Sequence, residues 1–180
     1  MPNPAINPDA AALRRLSYPL DCTHNRRHRK MNLPMQNPVI LFPVFALALW
    51  TFLVLLQIPI VRFRSVRRQE VTANDFKYGE SSAVPTYVST PNRNYMNLLE
   101  LPVLFYVVCL LIYITGITSS MMVTTAWLYV GLRIVHSLIH LSYNHVIHRL
   151  LAFAASNLVL MVLWIFAAVE IFSHASARVG

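Results

Sequence analysis

The sequence predicts an all-α membrane protein, a bundle of four transmembrane helices. Hydrophobic residues make up 56% of the 180 residues and charged residues only 12%, whereas soluble domains contain about 45–50% and about 25%. The apolar residues are gathered into four stretches, each close to the roughly 20 residues that a helix needs to cross a bilayer. The chain has only four glycines and no GxGxxG or Walker pattern, which argues against a nucleotide-binding enzyme.

Residues 1–37 precede the first apolar stretch, and their polar, proline-rich composition predicts a disordered tail. They do not resemble a signal peptide, because no short apolar segment with a small-residue cleavage site comes before the first long stretch. Met31 or Met35 is an alternative start, in which case most of the tail is not part of the protein. We expect the membrane domain at residues 38–174 and a C-terminal tail at 175–180.

The spans follow from the polar segments that separate them. The first apolar stretch has Gln57 as its only strongly polar residue, with Pro43 and Pro59 near its ends, where a helix tolerates proline best. A polar connection, residues 62–92, precedes the second span. Tight turns are expected after the second and third spans, at about 116–120 and 143–148. The spans are therefore predicted at about 39–61, 93–115, 120–142 and 150–172.

The net charge of +8 comes mainly from basic residues that flank the apolar stretches. This placement is typical of membrane topology, and it argues against nucleic acid, the partner that a basic protein otherwise suggests. Without the N-terminal tail, seven basic residues lie on the side of the 62–93 loop and only Arg178 on the side of the termini. The loop is therefore predicted to be cytoplasmic, in the inner membrane if the cell is bacterial; the six basic residues of the tail weaken this prediction.

Polar side chains share one face on two of the predicted helices. In the second span, Arg93, Asn97 and Glu100 follow the i, i+4, i+7 spacing of a single helical face. The third span carries a similar polar face, formed by Tyr129, Arg133, His136, His140, Tyr143 and Asn144. An ionisable group is costly inside a membrane unless it is paired. We therefore expect Glu100 to pair with Arg133, either within a ligand site or simply to join the two helices.

The histidines raise the alternative of a metal site, since His136 and His140 are one turn apart and His145 and His148 follow. However, the sequence has no HExxH motif, and Arg133 on the same face would repel a cation, so no metal is predicted. Arg149 opens the fourth span, at the membrane surface on which the 62–93 loop also lies. The sequence therefore predicts a basic pocket with one acid, suited to a ligand with carboxylates and an amine, or to a lipid headgroup.

These positions resemble the MAPEG superfamily, which contains the microsomal glutathione transferases, membrane prostaglandin E synthase, leukotriene C synthase and a lipoxygenase-activating protein. The resemblance covers about residues 39–172. Its second-helix motif is an Arg, then Asn-x-x-Glu, a Pro and an aromatic residue. The corresponding residues here are Arg93, Asn97, Glu100, Pro102 and Phe105. Three further motifs follow the family pattern: Arg62-Phe-Arg64, Arg133-Ile-Val-His136 with His140, and Arg149 sixteen residues after Arg133.

The resemblance implies a homotrimer that binds glutathione between neighbouring subunits near the cytoplasmic face. It implies that Arg149 stabilises the glutathione thiolate, which attacks a lipophilic electrophile or lipid arriving from the bilayer. The remaining residues would form the glutathione pocket. Arg62 and Arg93 would hold its carboxylates, with Arg64 beside them, and Glu100 would meet its amine or hold Arg133. Its amides would bind Asn97, His136 and His140.

The sequence also departs from the family pattern. Met96 stands where a second Arg often precedes the Asn, and Leu150 and Phe153 replace a Ser and an aromatic hydroxyl of the synthases. His140 replaces a Tyr of the third helix, and Pro102 comes earlier than in the transferases. A non-catalytic lipid-binding or scaffold protein on the same bundle is therefore the alternative. A transporter is less favoured, because the sequence has no internal repeat and no proline- or glycine-interrupted span near mid-bilayer.

Overall fold

The computed structural model of the protein describes residues 36–77 and 79–179, with side chains to residue 177, and the regular secondary structure of these residues is helical. Residues 1–35, which hold nearly all of the predicted tail, lie outside the described residues. Four helical segments are long and apolar enough to cross a membrane: Pro38–Arg67, Thr86–Thr115, Ser120–Leu141 and Val146–Ala177. The predicted all-α, four-helix membrane architecture is confirmed.

The first span begins with a 3-10 turn, Pro38–Ile40, and continues as helix α1, Leu41–Arg67. The side chain of Asn37 caps the turn by accepting a hydrogen bond from the backbone N–H of Val39 at 3.1 Å. The helix extends six residues past the predicted end at 61, because residues 62–67 contain no proline or glycine. Two of its last-turn residues, Arg64 and Arg67, are basic and favour the negative end of the helix dipole.

The second span is two helices rather than the single helix predicted at 93–115: α2, Thr86–Leu99, and α3, Pro102–Thr115. It begins directly after Pro85, seven residues before the predicted start. Pro102 has no N–H to donate to the carbonyl of Leu98, so the helical ladder is interrupted there. Val103 and Leu104 instead donate to the carbonyls of Glu100 and Leu101, at 3.3 and 3.0 Å. A bend at Glu100 and Leu101 therefore separates the two helices.

The last two spans are α4, Ser120–Leu141, and α5, Val146–Val179. Gly116, in the left-handed conformation with φ of 72°, ends α3, and the hydroxyl of Ser119 caps α4. Asn144 adopts the same left-handed region with φ of 48° in the turn before α5. Helix α5 extends beyond the predicted 150–172 at both ends, because no glycine or proline lies between residues 146 and 179.

The bundle interior is mainly apolar, with a few buried polar side chains, and the outward faces of the helices are apolar as well. Phe105 and Tyr129 stack at the centre with ring centroids 4.6 Å apart, beside the buried side chains of Leu47, Leu98 and Leu163. Large apolar residues are exposed along the outer surface of every span. Such an apolar surface fits the hydrocarbon core of a bilayer. The backbone needs no water there, because a helix satisfies its own backbone polar groups.

A buried hydrogen-bonded node ties three helices together. The hydroxyl oxygen of Ser137 on α4 accepts from the indole N–H of Trp50 on α1 at 2.9 Å, and from the amide nitrogen of Asn94 on α2 at 2.6 Å. Ser137 and Asn94 are fully buried. This node fixes α2 against α4 and so sets the position of the polar faces that the two helices carry.

Replacing Ser137 by alanine is expected to lower the free energy of unfolding by about 1 kcal/mol, because two interhelical hydrogen bonds of about 0.6 kcal/mol each are lost. Reversible unfolding in mixed micelles measures this change. The matched control is Ser156→Ala, since Ser156 is also buried but bonds only to Phe153 of its own helix. Equal losses in the two variants would show that the node does not stabilise the bundle.

The connection between α1 and α2 is held by its own cap. Thr72 precedes a 3-10 turn, Ala73–Phe76, and forms a reciprocal capping box with Asp75. The Asp75 carboxylate accepts from the N–H and hydroxyl of Thr72, both at 2.8 Å, and from the hydroxyl of Ser81 at 3.2 Å. These hydrogen bonds, the backbone one first, hold the pKa of Asp75 below its ordinary value.

The lowered pKa of Asp75 predicts a pH-dependent loop. The carboxylate stabilises the loop above its unfolded-state pKa, near pH 4, and this contribution is lost as the pH falls through the lower folded-state value. We expect amide exchange of residues 72–81, corrected for intrinsic rates, to become faster as the pH drops below about 4. In Asp75→Asn, exchange should be faster at neutral pH and the acid-induced step absent. An acid-induced step of the same size in this variant would contradict the assignment.

Candidate functional site

A cavity of about 510 Å³ lies between α2, along most of its length, the end of α4 and the start of α5. This volume is within the usual range for small-molecule sites. Its walls are mixed in character. The polar lining consists of Thr86, Thr90, Asn92, Arg93, Asn97, His136, His140, Asn144 and Arg149, and the apolar lining of Met96, Val146, Leu150 and Phe153.

Arg149 projects into this cavity from the first turn of α5. Its Nη1 donates to the side-chain oxygen of Asn144 at 2.9 Å, which orients the guanidinium. Asn tolerates the left-handed backbone that the turn requires better than most residues. The guanidinium also lies at the positive end of the α5 dipole. Both features give this end of the cavity a positive potential suited to an anion.

His136 links α4 to α5 at the base of the cavity. Its Nδ1 lies 3.0 Å from the carbonyl oxygen of Arg149. A carbonyl only accepts hydrogen bonds, so Nδ1 carries a proton, and in the neutral ring Nε2 is left as an acceptor. The described residues provide no partner for this Nε2, nor for Nδ1 of His140, although both side chains are buried. Each of the two imidazoles therefore has one ring nitrogen that is enclosed and without a hydrogen-bond partner in the described residues.

Arg133 lies beneath the cavity and is 0% exposed. Its Nη2 donates to the backbone carbonyl of Asn97. That carbonyl is one of the last four of α2, which a helix leaves without a donor of its own. The guanidinium carbon lies 5.7 Å from the centre of the Phe153 ring. Arg133 thus caps the interrupted helix at the bend and supports Asn97 from below.

The expected pair between Glu100 and Arg133 does not form. Glu100 is exposed, and in the described part of the chain it has no cation within ion-pair distance. The backbone of Glu100 is non-helical, with φ of −79° and ψ of −92°, because α2 has ended at Leu99. The i, i+4, i+7 spacing that placed Glu100 beside Asn97 assumed a continuous helix, which Pro102 interrupts.

Arg62 and Arg64 lie outside the cavity of this chain. Arg62 forms an ion pair with Glu80 at 3.1 Å and lies 4.7 Å from the centre of the Phe76 ring. Arg64 lines a separate surface cleft on α1. The structure therefore brings together Arg93, Asn97, His136, His140 and Arg149 of the predicted site residues. It does not add Arg62, Arg64, Glu100 or Arg133 to the cavity lining.

Several cavity residues were not predicted from the sequence. Thr86 and Thr90 line the cavity together with Arg93 and Asn97. The four residues have the 4-3-4 spacing of one helical face. This signal was present in the sequence, but it requires the helix to begin after Pro85 rather than near Asn92. Glu80 and Phe76 reach Arg62 through an irregular loop, for which no periodic pattern exists.

Replacing Arg133 by methionine is expected to lower the free energy of unfolding by about 1–3 kcal/mol, because it leaves the carbonyl of Asn97 buried without a donor. Arg133→Lys keeps a donor and should lose less. Unfolding in mixed micelles measures both changes, and Arg93→Met, at an exposed position, is the control. A methionine variant as stable as the parent would show that the buried charge is only a burden to the fold.

The sequence matches the profile of the MAPEG family over residues 40–169. The match runs from the start of α1 into the last third of α5 and includes every residue of the cavity. Comparison with curated proteins and with solved structures gives no significant match. The family match covers well over half of the chain and agrees with its four membrane-spanning segments. The chain is therefore a multi-pass membrane protein that belongs to the MAPEG family.

Proposed function

We propose that this protein is a glutathione-dependent transferase or peroxidase that acts on lipophilic electrophiles, with Arg149 stabilising the glutathione thiolate. The observation that carries the proposal is that two guanidiniums, those of Arg93 and Arg149, line one cavity together with Asn97 and two histidines. Neither guanidinium has a carboxylate partner in the described part of the chain. Membership of the MAPEG family supports a glutathione-related role.

The cavity lining suits the groups of glutathione, which carries two carboxylates, one amine, two amides and a thiol. Arg93 can bind a carboxylate through paired N–H donors, the arrangement in which a guanidinium binds most strongly. The side chain of Asn97 can donate to or accept from an amide. His136 lines the same cavity, and its Nε2, which is enclosed and has no partner in the described residues, could accept an amide N–H once a ligand displaces the side chains that cover it. His140, which lines the same cavity, can take a second amide.

Arg149 is the residue best placed to activate the thiol. A nearby cation and a helix N-terminus both lower the pKa of a thiol from about 8.5. Arg149 supplies the cation, and the start of α5 supplies the helix N-terminus. In the transferase reaction the thiolate forms a carbon–sulfur bond and the leaving group departs with its electron pair. The apolar residues Met96, Val146 and Leu150 at the cavity would receive the lipophilic partner.

The proposal includes a homotrimer with the site near the cytoplasmic face. Seven basic residues on the side of the 62–93 connection support a cytoplasmic location for it. The trimer rests on the family pattern, in which glutathione lies between subunits. The exposed carboxylate of Glu100 fits this arrangement, since it is free to meet the ligand amine at the border with a neighbouring subunit.

Arg149→Ala is expected to abolish turnover and to remove the ultraviolet absorbance of the glutathione thiolate, because the cation that favours the ionised thiol is lost. Titration of the purified protein in mild detergent with glutathione measures the thiolate signal. Arg149→Lys keeps the charge and should keep part of the signal. The control is Arg67→Gln, which removes a charge at the same membrane surface outside the cavity and should leave the signal unchanged.

A second candidate function is non-catalytic lipid binding on the same bundle. The observation in its favour is that Met96, Leu150 and Phe153, which depart from the synthase pattern, all line the cavity. This alternative predicts no thiolate signal up to millimolar glutathione and a lipid that remains bound in the cavity after purification. That pair of results, or an Arg149→Ala variant with unchanged turnover, would overturn the proposed role of Arg149.

A further inference from the structure

One exposed face of α1 changes from apolar to basic as the helix reaches the membrane surface. Ile60 and Phe63, which are 61% and 71% exposed, are followed on the same face by Arg64, Arg67 and Arg68. These five residues line a surface cleft of about 600 Å³. They follow the i, i+3, i+4, i+7, i+8 spacing of a continuous helical stripe. We refer to this stripe, residues 60, 63, 64, 67 and 68, as the basic cleft.

The apolar part of the stripe continues toward the bilayer centre. Leu49, Leu53 and Leu56 are exposed by 61%, 51% and 59% and precede Ile60 at intervals of four, three and four residues. The face therefore presents about three helical turns of aliphatic side chains below three guanidiniums. An amphiphile with a long hydrocarbon chain and an anionic headgroup is complementary to this face, because its chain would contact the aliphatic residues and its headgroup the guanidiniums.

Two of the three guanidiniums of the basic cleft have no carboxylate partner in the described residues. In the described part of the chain, only Arg68 has an acid within reach, Glu70 at 4.0 Å, and no ion pair is formed by Arg64 or Arg67. Asp75 is committed to its capping box and Glu80 to Arg62. Glu170 lies near the far end of α5, so a second copy of the described chain could bring only the unpaired Glu100 to this surface.

We propose that the basic cleft binds an anionic phospholipid, with the phosphate between Arg64, Arg67 and Arg68 and one acyl chain along the stripe from Phe63 to Leu49. Charge complementarity favours a lipid over a second protein subunit, because an anionic leaflet places many phosphates along this surface, whereas a neighbouring copy brings one unpaired carboxylate. Basic residues next to a membrane helix attract anionic headgroups, and the attraction is strongest at the cytoplasmic leaflet. The site is separate from the cavity that Arg149 lines.

Native mass spectrometry after reconstitution with equal amounts of phosphatidylglycerol and phosphatidylcholine of matched acyl chains tests this proposal. The parent protein should retain phosphatidylglycerol preferentially. Arg64→Gln should reduce that preference about five-fold, and Arg64→Gln with Arg67→Gln about thirty-fold, from the attraction that each surface basic residue contributes. Arg64→Lys keeps the charge and should keep most of the preference. Both positions are exposed, so the variants should fold, and circular dichroism checks this.

Arg178→Gln is the charge-matched control, because residue 178 lies in the last turn of α5, at the opposite end of that helix from Arg149. It should leave the preference unchanged. The proposal is overturned if the two lipids are retained equally, or if Arg178→Gln has the same effect as Arg64→Gln. It is also overturned if the double variant dissociates the oligomer while lipid retention is unchanged, since the cleft would then be a contact between subunits. The glutathione thiolate signal is an independent readout and should persist in Arg67→Gln, whose side chain lies outside the cavity.

Discussion

The hydrogen bond from Arg133 to the carbonyl of Asn97 is the interaction on which the rest of the site depends. A proline inside a membrane span leaves carbonyls without donors, and in a bilayer no water is at hand to replace them. Arg133, on the neighbouring helix α4, donates to one of these carbonyls. In exchange, the charged guanidinium of Arg133 is removed from water, which costs free energy. Because Asn97 is held from below by this bond, its side chain can face the cavity from the last turn of α2.

The cavity is assembled from helix ends rather than from the middle of the bundle. The Asn94–Ser137–Trp50 node fixes α2 against α1 and α4, and the hydrogen bond between His136 and the Arg149 carbonyl fixes α4 against α5. These two contacts join the helices that line the cavity and so limit its movement. Its polar groups are consequently positioned by helix packing. The rest of its lining is apolar and consists of Met96, Val146, Leu150 and Phe153.

The four spans and half of the site could be predicted from the sequence, for identifiable reasons. Long apolar stretches are unambiguous, and Arg93 and Asn97 lie within an unbroken helix, so their shared face is preserved. Glu100 does not line the cavity of this chain, because the one-face argument fails where α2 ends at Leu99. The second span starts earlier than predicted because a polar first turn, Thr86–Ser89, gives no hydropathy signal. Arg62 was placed in the pocket because nothing in the sequence indicates that the loop returns Glu80 to it.

The family match and the geometry carry different parts of the conclusion. The match covers residues 40–169 and establishes the architecture. The proposed function of this chain depends instead on the residues that line its cavity. Met96, Leu150 and Phe153 make its cavity more apolar than the synthase pattern, and the guanidiniums of Arg93 and Arg149 supply its positive charge.

The bend between α2 and α3 also has a mechanical consequence. An unbroken helix transmits a tilt at one end to the other, but a span whose ladder is interrupted at proline bends at the interruption. Helix α2 carries one wall of the cavity, and α3 carries the stacked ring of Phe105 in the bundle centre. The joint at Glu100 and Leu101 therefore lets α2 and α3 take different directions, so that α2 forms the cavity wall while α3 keeps the aromatic packing of the bundle centre.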